Sequence, residues 1–393
     1  MYSILLVIIY LSFISLGLPD ALLGSAWPVM KDTLGVSLSS AGIITMIIAG
    51  GTIVSSLMAD RVLRKFGTGT VTAVSVALTA LALLGFSFSR SFVLLCILAI
   101  PYGLGAGAVD SALNNYVALH YSSRHMSWLH AFWCVGVTIS PNIMGYCLTN
   151  NLGWNIGYRS VAIIQSVLVL ILIASIPLWH KIAKEAKADD EKEIKIVPLR
   201  DAVKIRGVPY ILIAFFGFCA LESTAGLWAS SYLVEYRGVG VETAATFAAL
   251  FYTGEMIGRF LNGFVADKFG DRNMIRVGIF VMAIGVILIG LPTKSDVPAL
   301  TGLVILGLGA APVYPCIIHS TPTNFGKENS QSLVGIQMAS AYVGITLMPP
   351  LFGLIAEYIS IGLYPVYLSL FTVLMLVMTE TMNKSVKINN NQR

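Results

Sequence analysis

Twelve stretches of about 20 or more mostly apolar residues run along this chain, and they leave few folds open to it. They lie near 3–30, 40–59, 68–88, 92–119, 126–149, 157–180, 208–233, 242–264, 274–292, 298–320, 332–358 and 362–380. Each is long enough to cross a bilayer as one helix. The runs are continuous rather than alternating, which excludes a β-barrel. Only 11% of residues are charged, against about 25% in a soluble domain, so a water-facing surface cannot be covered. A soluble enzyme, a nucleic-acid binder and a disordered or fibrous chain are excluded on that ground. The first run is too long for a signal peptide, no Lys or Arg precedes it, and Asp20 lies deep inside it. The five cysteines (96, 134, 147, 219, 316) all fall in apolar runs with no metal-site spacing, so they read as small buried residues. No metal or cofactor is expected.

Orientation follows from the basic residues. With the N-terminus inside, the inner segments hold nineteen Lys and Arg and the outer loops five, with Arg259 left inside a span. Both termini are therefore expected in the cytoplasm, in a multi-pass protein of the cell membrane. The polar stretch 181–207 divides the chain into 1–180 and 208–393, six spans each. It reads as a solvated cytoplasmic linker with room for a surface helix. The fold class expected is all-α, with twelve transmembrane helices in two pseudo-symmetric six-helix bundles.

The two halves repeat. Asp60 in SLMADRVLRKFG matches Asp267 in GFVADKFGDRN at an offset of 207. Gly136 in GVTISPNIMG matches Gly344 in GITLMPPLFG at 208, and GLGAG at 103–107 matches GLGAA at 307–311 at 204. Parallel repeats of this kind place a binding site at their interface near mid-membrane.

The loops after spans 2 and 8 resemble the signature of the major facilitator superfamily, roughly G-x-x-x-D-R/K-x-G-R/K-R/K. Asp60, Arg61, Arg64 and Lys65 match its first copy, with Ser56 and Leu63 at the glycine positions. Gly263, Asp267, Lys268, Gly270 and Arg272 match the second, and Asp271 departs from it. Three further patches, GLPDALLGSAWP, GAVDSALNNYV and LHAFWCVG, resemble the fucose-permease branch of sugar:proton symporters. That resemblance implies roles for a span-1 acid (Asp20), a span-4 acid four residues before an Asn (Asp110, Asn114) and two cavity-facing span-5 residues (His130, Trp133). Amides stand at the last two positions in the fucose permease, so the resemblance implies the mechanism rather than fucose. It also implies that Asp60 with Arg61, and Asp267 with Lys268, join in a charge lock between the halves when the cavity is open outward. An Asp placed at the same point twice is more than the positive-inside rule requires.

Charges inside a membrane are costly and mark cavities or partners. Here they are Asp20, Asp110, Glu222, Glu255, Arg259 and Glu357. Asp110 lies mid-span with no Lys or Arg three or four residues away, so it should take up a proton readily. The other reading is a protonated Asp bonded to a neighbouring helix. Asp20 follows Pro19, which bends the helix, and reads as a substrate hydrogen-bonder or a proton relay. Glu222 is its rough counterpart in span 7, each acid lying six or seven residues before a Trp (Trp27, Trp228). Glu255 and Arg259, four apart, read as an intrahelical pair linked to the gate. The alternative is a substrate-facing Arg, which would favour an anion. His130, Trp133, Trp27, Trp228, Asn114, Asn115, Asn142 and Gln337 could together line a cavity for sugars, whose rings stack on apolar faces and whose hydroxyls need directional partners. Trp154 and Trp179, near span ends, read as interfacial anchors.

No G-x-x-x-x-G-K-S/T phosphate loop is present, so energy must come from a gradient. The function expected is secondary active transport by alternating access, a proton symport of a sugar or similar small polar solute. The partners are that solute, protons and lipid, with no nucleic acid, and the chain is expected to act as a monomer. The rival is a drug:proton antiporter, for whose Gly-Pro signature Ser140-Pro141 is a partial match. A non-transporting receptor or enzyme would need an extramembrane domain or a catalytic set.

Overall fold

The computed structural model describes residues 2–37, 40–189 and 199–390. Part of the linker (190–198) and Arg393, both used in the charge count, lie outside the described residues. Among the described residues the regular structure is helical throughout. Most spans start within a few residues of the hydropathy reading: Ser40–Phe66, Thr68–Phe88, Phe92–His120, Ser123–Thr149, Trp154–Asp189, Val208–Ser231, Val241–Phe269 and Asp271–Gly290. Among the described residues, ten stretches are apolar enough to count as spans by composition. One of them, Lys327–Val386, is 60 residues long and breaks near Ala356–Leu363, so it crosses twice. Val241–Phe269 makes the twelfth; Glu255, Arg259, Asp267 and Lys268 lower its apolarity without shortening it.

Two spans are broken, and proline explains both. Span 1 runs Tyr2–Gly17, turns, and resumes at Leu22–Leu34. Pro19 has no N–H to give and its ring crowds the preceding turn. The chain recovers through local bonds spanning three residues, Asp20 N to Gly17 O and Leu22 N to Pro19 O. Span 10 runs Val297–Ala310 and then Val313–His319, with Pro312 between.

Contacts divide the chain into two compact units. The first comprises Met1–Tyr116 and Phe132–Ile196; the second comprises Val117–Ala131 and Val197–Arg393. The turn between spans 4 and 5 therefore belongs to the second unit. In the first, Leu22, Trp27, Met30, Ile44, Phe86, Leu95 and Tyr158 form a buried core. The outer faces carry well-exposed Ile4, Leu81, Leu170, Phe280 and Leu370, an apolar surface suited to lipid tails.

The sequence repeat has a physical cause. A Cβ on Gly103 would strike the carbonyl of Ile48, and one on Gly307 that of Phe251. Gly136 meets Ile14 and Leu18 in the same way, and Gly344 meets Phe216 and Ala220. Each unit thus crosses its helices backbone to backbone at equivalent points, where only glycine fits. Gly307→Val should separate spans 8 and 10 and cost about 1–3 kcal/mol. Thermal denaturation in detergent, followed by gel filtration, should show a lowered midpoint; an unchanged one would disprove the close crossing.

Candidate functional site

In the first unit, the break at Pro19 exposes Asp20 at mid-span. Its carboxylate accepts a hydrogen bond from Trp133 Nε1 at 3.0 Å and another from Tyr102 OH at 3.4 Å. Asp20 is exposed while Trp133 is half-buried, so the carboxylate is accessible with an indole beside it. Two turns along the helix from Tyr102 sits Asp110, only 5% exposed. Asn114 Nδ2 donates to Asp110 Oδ1 at 2.7 Å and to its carbonyl at 3.0 Å. The helix carrying Asp110 is held by span 2: Ser55 Oγ donates to Leu104 O at 2.6 Å, Thr52 Oγ1 to Gly103 O and Ser56 Oγ to Gly107 O. The small residues of GLGAGAVD are what allow that approach.

In the second unit, Arg259 is the centre of an ion cluster. Its Nη2 lies 2.5 Å from Glu255 Oε1 and 3.1 Å from Glu222 Oε1. Arg259 and Glu255 are almost wholly buried. The i, i+4 spacing places Glu255 beside the guanidinium on its own helix. Glu222 reaches it from span 7, so the acid read as a counterpart of Asp20 serves Arg259 instead. His130 packs on Tyr314 with ring centroids 4.5 Å apart, and Phe215 and Phe218 enclose the same tyrosine. Gln337 Oε1 accepts from Thr321 Oγ1 at 3.0 Å within the core, and Trp228 Nε1 donates to Pro349 O at 2.9 Å.

Each loop acid has a defined partner. Asp60 is buried, and its Oδ1 accepts from Arg64 Nε at 2.7 Å, one turn along the same helix; Arg61 is exposed. Asp267 accepts from Ser122 Oγ at 2.9 Å and from the backbone N–H of Arg124 at 3.1 Å, while Lys268 stands near the Phe269 ring. Asp271, the residue that departs from the motif, accepts from Ser123 Oγ at 2.5 Å and lies 2.6 Å from His319 Nδ1. His319 Nε2 in turn meets Tyr121 O at 3.0 Å.

The family model of the Major Facilitator Superfamily matches residues 9–251 and 223–387. The chain belongs to this superfamily. It is 23% identical over 353 residues to the cis,cis-muconate transport protein of Acinetobacter baylyi, covering 85% of this chain and 83% of that one. It is 24% identical over 302 residues to the hexuronate transporter of Bacillus subtilis, covering 73% and 69%. Among solved structures it resembles the superfamily transporter FucP in the outward conformation, with a TM-score of 0.75 and 14% identity over 97% of this chain and 99% of that one. The proton:xylose symporter XylE gives 0.76 at 13%, over 97% and 95%. The solved structures share its fold, and the family match makes it a multi-pass membrane transporter.

Nothing in the sequence marks Tyr314 or His319 as a partner in these networks. Tyr102 had a signal, since it lies eight residues before Asp110 on one helix face; Asp271 had one in its departure from the motif. Two tryptophans need correction. Trp154 and Trp179 are not interfacial anchors: both are buried, Trp154 against Tyr158 and Trp179 against Tyr116, with its Nε1 on Ser175 Oγ. Trp27 is likewise core rather than lining. The five cysteines are free, four of them buried and Cys96 half-buried.

Proposed function

We propose that this superfamily transporter is a proton-coupled symporter of a neutral, hydroxyl-rich solute about the size of a monosaccharide, working by alternating access. The observation that carries the reading is Asp20, a mid-span carboxylate exposed at a helix break and held by Trp133 and Tyr102. An indole face with a carboxylate at its edge suits a ring bearing hydroxyls. The buried Asp110, bonded to a neutral amide, supplies a separate group for the proton. Substrate contacts in the first unit fall to Asp20, Trp133 and Asn114, and proton transfer to Asp110 with Asp20.

Trp133→Phe keeps the ring and removes the N–H that fixes Asp20. A hydrogen bond to a charged group contributes about 1.5–3 kcal/mol. The Kd for the transported sugar, found by thermal-shift screening of the purified wild type, should rise by at least about tenfold. An unchanged Kd would remove Asp20 from the site.

A second reading, an organic anion, draws on the relatives that carry muconate and hexuronates. The Arg259 cluster argues against it, because two carboxylates already face the guanidinium. Tight binding of a sugar acid or dicarboxylate, with no response to neutral sugars, would decide for the anion.

Both termini are placed in the cytoplasm by the charge bias. The loop residues Asp60, Arg61, Arg64, Asp267 and Lys268 would then tune the equilibrium between conformations from the inner side, supported by the engagement of Asp267 with Ser122 and Arg124. Arg61→Cys should react with an impermeant thiol reagent only in inverted vesicles. Labelling from the outside of intact cells would reverse the topology.

A further inference from the structure

We propose that Glu222, Glu255 and Arg259 form a proton-binding site in the second unit, the two carboxylates sharing one proton over a single guanidinium. The argument is one of charge balance. With both acids ionised the cluster carries one net negative charge inside the membrane, where uncompensated charge is expensive. One bound proton makes it neutral.

The geometry supports sharing. Both Glu222 Oε1 and Glu255 Oε1 address the same nitrogen, Arg259 Nη2, at 3.1 and 2.5 Å. Two carboxylate oxygens converging on one nitrogen bring like charges close together, and a proton held between them would relieve that repulsion. Glu255 is almost wholly buried, so a proton held on it is shielded from water. Glu222 keeps 16% of its side chain exposed. It is therefore the port through which a proton enters, and Glu255 the group that retains it. Of the other titratable side chains on the packed elements, Tyr252 faces both acids and His130 faces Arg259. Span 10, which packs along span 8, brings none over Val297–Ala310.

The site stands apart from the symport reading, since it would hold its proton whether or not that proton drives transport. Infrared spectroscopy of the purified protein at neutral pH tests it directly through the carbonyl stretch of protonated carboxylic acids. Glu222→Gln and Glu255→Gln each leave one carboxylate on Arg259, so the cluster becomes neutral without a proton. Each variant should lose the intensity of one protonated acid relative to wild type. Glu222→Gln, at the partly exposed position, decides the matter alone should Glu255→Gln fail to fold, with gel filtration reporting the fold. Unchanged intensity would overturn the site. Loss of the band in a protein whose uptake never acidifies vesicles would keep the site and end the symport reading.

Discussion

Asp110→Asn should abolish uphill uptake: in proteoliposomes with an inward proton gradient, the substrate accumulation ratio should fall to one. Substrate-for-substrate exchange should partly survive. The carboxyl group is 5% exposed, mid-span, and bonded at 2.7 Å to Asn114, so the alternating forms of a carrier would be an ionised acid and a protonated one. Asparagine mimics the protonated form in shape and can still accept from Asn114, so the helix crossing with span 2 is undisturbed. It cannot release a proton. Exchange requires only the loaded carrier to reorient, which the amide permits; net accumulation requires the empty, deprotonated carrier to return. Uptake that still acidifies the vesicle interior in this variant would rule Asp110 out as the carrier and turn attention to Asp20 or to the Arg259 cluster.

The twelve spans were legible because apolar run length is a property of neighbours in the chain, and the bilayer imposes it on each helix separately. Glu255 and Arg259 were legible as a pair for the same reason: four residues on a helix is a fixed geometry. What was hidden lies in contacts between helices. Nothing in the sequence sets Tyr102 beside Asp20, 82 residues away, or turns Glu222 toward Arg259 across 37. Trp154 and Trp179 show the converse. A tryptophan near a span end has one depth but two possible faces, and both point inward here, onto Tyr158 and Tyr116. The glycines of the repeat sit between these cases. Their spacing is visible in the sequence, but that Gly103 and Gly307 each admit a neighbour's carbonyl appears only when the helices cross.

Arg259→Leu should be among the most damaging single substitutions in the second unit. Removing one partner from a buried ion pair typically costs about 3–5 kcal/mol, because the charge left behind has neither water nor counter-ion. Here two acids are left, Glu255 almost fully buried and Glu222 partly so. They can escape the penalty only by binding protons, so the variant should be less unstable at acid pH than at neutral pH. Carboxylates stranded without a cation carry uncompensated charge only when ionised, so stability is lost as pH rises. Adding Glu255→Gln and Glu222→Gln to Arg259→Leu removes both acids and should restore much of the lost stability, although three polar or apolar replacements will not rebuild the bonds. Heating each variant in detergent and measuring the monodisperse fraction by gel filtration gives the ranking. If Arg259→Leu alone matches wild type at neutral pH, the guanidinium is not what holds spans 7 and 8 together, and the cluster has no claim on the stability of the fold.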